Sequence, residues 1–210
     1  VLATAGNFNN HIGLPLTLLN LKPQHRYAVI EMGMSHSGEL AELTRIARPD
    51  VALVNNALRA HIGCGFDGVG DIAKAKSEIY QGLPENGLAW LPAESNYLNI
   101  FQVACADLNT QTFGAEQGDL HAENIILNPL SCCFEMIYKS ERTVVKLPAP
   151  GLHNVYNECA ATAVSLSAGL DLDQIAAGLA TFANIKGRLQ VKQGANGAQI
   201  LDDTYNANPD

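Results

Sequence analysis

The chemistry this sequence offers rests on a few carboxylates, one histidine, one lysine and a set of asparagines. Glu31 closes the apolar run at 27–31, Tyr-Ala-Val-Ile-Glu. A carboxylate at the carboxyl end of a strand stands where open parallel sheets collect ligands, so it is a candidate for a metal or a substrate. It is equally compatible with a charge leaving the sheet. His61 opens a glycine-rich loop, Ile62-Gly63-Cys64-Gly65-Phe66. Lys76 is the odd residue. With Ile72 at zero and about 100° per residue, Ile79 falls near 340°, Leu83 near 20° and Lys76 near 40°, on the same stripe. Lys74 falls near 200°, toward solvent. An ammonium group on a core-facing stripe calls for a partner, a chemical modification, or a stem that carries it to the surface.

Asn154 and Asn157, spaced i and i+3, share a face in the first turn of a helix, where free backbone donors suit a polar ligand or an ordinary cap. Near the carboxyl end, Asp202 and Asp203 precede Thr-Tyr-Asn-Ala-Asn-Pro. They read either as turn-forming residues or as a carboxylate that holds hydroxyls. Thr4, Asn7, Asn9 and Asn10 form a polar loop ahead of a short apolar helix at 14–19. Asn capping of that helix and substrate binding are both open.

These residues need a frame. Residues 1–3 read as the end of a strand. The run at 27–31 reads as a second strand, buried on both faces. A helix at 39–47 with Ser37 as its cap, then a strand at 51–54, complete a βαβ unit with a parallel sheet. The helix carrying Lys76 follows. Short strands are expected at 88–91 and 110–113, with a helix between. Three strand-like runs at 121–127, 132–138 and 142–147 are separated by short turns and imply antiparallel hairpins at one edge of the sheet. A long helix to about residue 168 and a second at 172–182 come next. Two runs at 190–193 and 198–201 flank Asn196-Gly197, a strong hairpin turn. The fold class is therefore α/β: a mostly parallel sheet flanked by helices, with an antiparallel meander at its edge.

The bulk properties agree. The chain has 210 residues, 47% hydrophobic and 16% charged, which supports a packed core. A net charge of −8 argues against nonspecific nucleic-acid binding. Five cysteines without paired spacing read as structural thiols in a reducing compartment. Cys132 and Cys133, adjacent on a strand, are expected to point to opposite faces. No apolar run is long enough for a membrane helix, and no signal peptide is visible. The sequence starts at Val1 and contains no G-x-x-x-x-G-K-[ST] phosphate loop. It reads as an excised piece of a longer protein.

Taken together, Thr-Ala-Gly-Asn-Phe-Asn-Asn-His-Ile-Gly-Leu-Pro-Leu-Thr at 4–17, Glu31-Met32-Gly33, Ala-Lys-Ala-Lys-Ser-Glu-Ile at 73–79, Pro150-Gly151-Leu152-His153-Asn154, Gly187-Arg188 and Asp203-Thr204-Tyr205-Asn206-Ala207-Asn208-Pro209 resemble the ATP-dependent Mur ligases of peptidoglycan synthesis. The amino-terminal piece favours the members that add D-Ala-D-Ala. The resemblance covers essentially the whole chain and implies the central, ATP-binding, P-loop-like domain, truncated upstream of Val1 and ending at the boundary to a carboxy-terminal domain.

The resemblance also implies roles. Glu31 and His61 would be Mg²⁺ ligands, Lys76 a carbamylated lysine and Arg188 a neighbour of the transferring phosphate. Asn154 and Asn157 would contact adenine, and Asp203 the ribose hydroxyls. Thr4, Asn7, Asn9 and Asn10 would face UDP-N-acetylmuramoyl-tripeptide. ATP and Mg²⁺ would serve the reaction, with D-Ala-D-Ala as second substrate, in a cytoplasmic bacterial monomer that binds no nucleic acid and does not enter a membrane. The piece alone is expected to be inactive. Two features depart from the pattern: the loop after His61 lacks an acidic residue and is slightly long, and the phosphate loop is absent. Rival readings are a different Mur or folylpolyglutamate synthase-type ligase, and a non-catalytic nucleotide-binding domain.

Overall fold

In a computed structural model, residues 1–63, 65–182, 187, 190–202 and 204 are described; for His61, Gln190, Val191, Gln199 and Leu201 the backbone alone is described. The chain runs β1 (Leu2–Ala3), α1 (Gly13–Leu18), β2 (Ala28–Val29), α2 (Glu39–Ala47), β3 (Val51–Leu53), α3 (Val69–Ser77), β4 (Leu88–Pro92), α4 (Leu98–Ala104), β5 (Asn109–Phe113), β6 (Leu120–Asn128), β7 (Ser131–Tyr138), β8 (Glu141–Leu147), α5 (Leu152–Ser167), α6 (Leu172–Leu179), β9 (Gln190–Gln193) and β10 (Gln199–Asp202). Six strands form one sheet in the order β3-β4-β5-β6-β7-β8. The pairs from β3 to β6 are parallel and those from β6 to β8 antiparallel. This is the expected sheet, with its meander at one edge.

Two buried clusters cover the two faces. One gathers Trp90, Phe113, Phe134, Met136 and Val155 beneath α5 and α6. The other gathers Leu14, Leu43, Ile72, Tyr80 and Phe101 beneath α1 to α4. Alternation along β7 separates the paired cysteines as expected: Cys132 is buried and Cys133 only half-buried. The hairpin β9–β10 turns through Asn196 at φ 56° and Gly197 at φ 79°, the left-handed pair that Asn-Gly favours.

Three expectations need correction. The run at 27–31 forms only a two-residue strand, and both of its residues are exposed. It is not hydrogen-bonded to β3; it pairs in parallel with β1 as a separate ribbon. The apolar run supplied the propensity, but partner choice is a tertiary matter: β3 pairs with β4 and β2 with β1. Ser37 does not cap α2. The cap position is Gly38, at φ 91°, and its N–H donates to both carboxylate oxygens of Glu78 at 2.8 Å. The second carboxyl-terminal helix stops at Leu179 rather than Phe182.

Candidate functional site

The carboxyl end of β3 is a junction. Past Leu53 the chain is no longer strand, and the backbone oxygens of Asn55 and Asn56 are free for side chains. Tyr156 on α5 donates its hydroxyl to the Asn55 oxygen at 2.7 Å. Lys76 on α3 donates its ammonium to the Asn56 oxygen at 2.7 Å. The Asn55 side chain donates to Asn157 Oδ1 at 3.0 Å. Asn55 Oδ1 itself is buried and has no hydrogen-bond partner among the described residues. Two helices from opposite faces of the sheet thus meet on two consecutive residues.

Lys76 occupies the position its periodicity foretells. It is half-buried, while Lys74 is exposed and lies 3.4 Å from Asp71. Burial of Lys76 lowers its pKa, because an ammonium in a low-dielectric site loses hydration that one carbonyl only partly replaces.

Glu31 lies two residues beyond β2, exposed and braced from the amino-terminal loop. Its N–H donates to Thr4 Oγ1 at 2.9 Å, and its Oε1 accepts from Asn9 Nδ2 at 2.8 Å. Gly33 N donates to the Asn9 backbone oxygen at 2.7 Å. Asn10 Oδ1 accepts from the N–H groups of Ile12 and Gly13, so it closes the entry to α1. Asn7 is exposed. Of the polar loop, Thr4 and Asn9 therefore serve Glu31, Asn10 serves the helix, and Asn7 faces solvent.

The segment after Glu31 is held from both sides. Ser35 N donates to Glu39 Oε2 at 2.6 Å; that bond is the main reason the Glu39 carboxyl titrates below its ordinary range. Glu78, just beyond the end of the Lys76 helix, receives the Gly38 N–H. Thr44 Oγ1 donates to the Ile79 oxygen at 2.7 Å. The helix carrying Lys76 and the segment that follows Glu31 are thus fixed to each other.

The glycine-rich loop joins them. Residues Arg59–His61 make a 3₁₀ turn, and Gly63 N returns to the Phe66 oxygen at 3.1 Å. Gly65, at φ 96°, takes a backbone conformation that favours glycine, and a Cβ there would stand 3.0 Å from His36 Cδ2. The loop of His61 thus lies against the segment that follows Glu31. The His61 side chain, Arg188 and Asp203 lie outside the described residues. Asp202 is engaged: Lys192 and Thr204 bond its carboxyl and hold its pKa down at about 2.

On α5, Asn154 Nδ2 donates to the Pro150 oxygen at 2.6 Å. Asn157 reaches across to Asn55, so the two asparagines have different partners. The thiol of Cys132 donates to the Ala149 oxygen at 3.1 Å and fixes the approach to this helix. Sequence reasoning missed the Tyr156–Asn55 and Glu78–Gly38 contacts. Both span long stretches of chain, and no local pattern announces them.

The donor set suits a hard cation that brings most of its own ligands. Among the described residues no three His, Cys, Asp or Glu side chains form a ready metal cage. Mg²⁺ does not need one: it keeps waters and binds through one or two carboxylates plus phosphate oxygens. Glu31 offers an exposed carboxylate with Oε1 held by Asn9 and no described protein partner on Oε2. Among the described residues no helix is long and apolar enough to cross a membrane.

Comparison with known proteins adds a lineage to this geometry. The family described as Mur ligase middle domain matches residues 1–165. The chain is 44% identical over 209 residues to a UDP-N-acetylmuramoyl-tripeptide–D-alanyl-D-alanine ligase of Escherichia coli (strain K12), covering 99% of this chain and 46% of that protein. A crystal structure of MurF from Acinetobacter baumannii superposes with a TM-score of 0.94 at 39% identity, over 99% of this chain and 45% of that one. MurF from Thermotoga maritima in complex with ADP superposes with a TM-score of 0.81 at 31% identity, over 99% and 47% of the two chains. The chain thus spans just under half the length of these relatives.

Proposed function

This chain belongs to the Mur ligase family, and we propose that it is the central domain of an ATP-dependent ligase that joins D-Ala-D-Ala to UDP-N-acetylmuramoyl-tripeptide. The observation that carries this reading is the likeness to D-Ala-D-Ala-adding ligases over nearly the whole chain. The junction at Asn55 and Asn56 supports it, because it brings a half-buried lysine and an α5 asparagine to one edge of the sheet. The whole protein would work in the bacterial cytoplasm as a monomer, in cell-wall synthesis.

In this reading the substrate carboxylate attacks the γ-phosphorus of ATP. The bond to ADP breaks and an acyl phosphate forms. The amine of D-Ala-D-Ala then attacks the acyl carbon, phosphate leaves, and the amine gives up a proton as the amide forms. Mg²⁺ supplies charge neutralisation on the phosphates when bound. Glu31 and His61 would hold the cation, and Arg188 would lie near the transferring phosphate. Asn154 and Asn157 would contact adenine and Asp203 the ribose. Thr4, Asn7 and Asn10 would lie toward the muramoyl-peptide side, with Asn7 and Asn10 exposed.

Lys76 would carry CO₂. The neutral amine attacks CO₂, a C–N bond forms and one proton is released, which leaves a carbamate anion. A lowered pKa increases the neutral amine available for that step. The anion would replace an under-hydrated cation beside the metal site.

The test is phosphate release by the whole protein with ATP, Mg²⁺ and UDP-N-acetylmuramoyl-tripeptide. Release is expected with D-Ala-D-Ala and not with single amino acids. Turnover with a single amino acid and not the dipeptide would favour another ligase of the family. ATP binding without any turnover would favour a non-catalytic nucleotide-binding domain.

A further inference from the structure

Glu31 can serve a cation only if its carboxylate keeps one orientation. Its side chain is exposed, and an exposed glutamate samples several rotamers at little cost. Three contacts limit this one. Thr4 Oγ1 accepts the Glu31 N–H at 2.9 Å, which fixes the backbone. Asn9 Nδ2 donates to Oε1 at 2.8 Å, which fixes the carboxylate. Gly33 N donates to the Asn9 oxygen at 2.7 Å, which fixes Asn9. That last contact favours glycine: a Cβ on Gly33 would stand 3.0 Å from both Cγ and Nδ2 of Asn9. Asn9 is half-buried, while Asn7 and Asn10 are exposed. Its amide donor is aimed at Glu31 and not at solvent.

We propose that Asn9 is a positioning residue that holds Glu31 in the orientation a divalent cation requires, and not a contact to the muramoyl-peptide substrate. The inference rests on the reading of Glu31 as a metal ligand. An amide is well matched to this role. It donates to a carboxylate without adding charge, so it fixes one oxygen and leaves the other its full negative potential.

The test measures Mn²⁺ binding to the whole ligase by the electron paramagnetic resonance of free Mn²⁺, with a non-hydrolysable ATP analogue present. A second measurement takes the Kd for UDP-N-acetylmuramoyl-tripeptide by calorimetry without metal. The variants are Asn9→Ala, Gly33→Ala and Glu31→Gln. Asn9→Ala and Gly33→Ala are expected to weaken Mn²⁺ binding about tenfold or more while the Kd for the UDP-linked tripeptide stays the same. Glu31→Gln is expected to weaken Mn²⁺ binding at least as much. If Glu31→Gln weakens Mn²⁺ binding and Asn9→Ala does not, the positioning role is wrong. A loss of tripeptide affinity in Asn9→Ala with unchanged Mn²⁺ binding overturns it in favour of substrate contact. Unchanged Mn²⁺ binding in Glu31→Gln removes the metal reading of Glu31 itself, and this inference with it.

Discussion

The Lys76 ammonium stands 2.7 Å from the backbone oxygen of Asn56, the residue next to the one that Tyr156 and Asn157 hold. One carbonyl is a poor match for a group with three donors, and burial disfavours its charge. The lysine is therefore set up to react or to titrate. With ¹³CO₂ present, the whole ligase is expected to give a carbamate ¹³C resonance that persists in Lys74→Ala and disappears in Lys76→Ala. Phosphate release in Lys76→Ala should fall on the order of 100-fold. A resonance that survives Lys76→Ala would assign the carbamate elsewhere.

Asn55 and Asn157 form a pair that joins the sheet edge to α5. Asn157→Ala removes the acceptor of Asn55 Nδ2 and leaves an Asn55 side chain whose Oδ1 already lacks a partner among the described residues. The KM for ATP is expected to rise about tenfold, equivalent to about 1.4 kcal/mol, with a smaller change in kcat. A double-mutant cycle with Asn55→Ala should give a coupling of about 1 kcal/mol. Additive effects would mean that the pair does not act as a unit.

Glu158 on α5 is 7% exposed, and burial raises its carboxyl pKa to about 7. Between the unfolded value of 4.5 and that pKa, the folded state holds a proton that the unfolded state has lost. Stability therefore falls as pH rises through this window, by up to about 3 kcal/mol. Glu158→Gln removes the titration. The variant should match the parent near the acid end of the window and melt higher above it. Parallel melting curves across the window for parent and variant would show that Glu158 is not the group responsible.

Residues 1–210 expressed alone are expected to release no phosphate from ATP with either substrate. Their sequence contains no phosphate loop, and backbone amides of such a loop cradle the phosphates in this chemistry. Turnover by this piece would refute that expectation directly.

Local pattern made much of this architecture legible. The period of 3.6 residues put Lys76 on the buried side of α3 and Lys74 on the exposed side. Short turns between alternating runs gave β6, β7 and β8 to within a residue or so at each end. Asn-Gly gave the β9–β10 hairpin. The ribbon of β1 and β2 was not legible, because an apolar run states a propensity and not a partner. Nor was the closure of α2 by Glu78, 40 residues away in sequence. At the candidate site the residue types were readable. The division of labour among Thr4, Asn9 and Asn10 depended on hydrogen bonds that only folding creates.

The junction at Asn55 also has a kinetic meaning. The Asn55–Asn157 bond closes a separation of 102 residues, whereas the meander pairs neighbouring hairpin strands. Contacts near in sequence lose little loop entropy and form early; distant ones wait for the rest of the chain. The meander should therefore act as the early folding unit, and the edge that bears Lys76 and Asn157 should be completed late. The same order, reversed, governs opening: amide hydrogens of the segment after β3 should exchange through small local fluctuations, while those of β7 exchange only when the whole sheet comes apart.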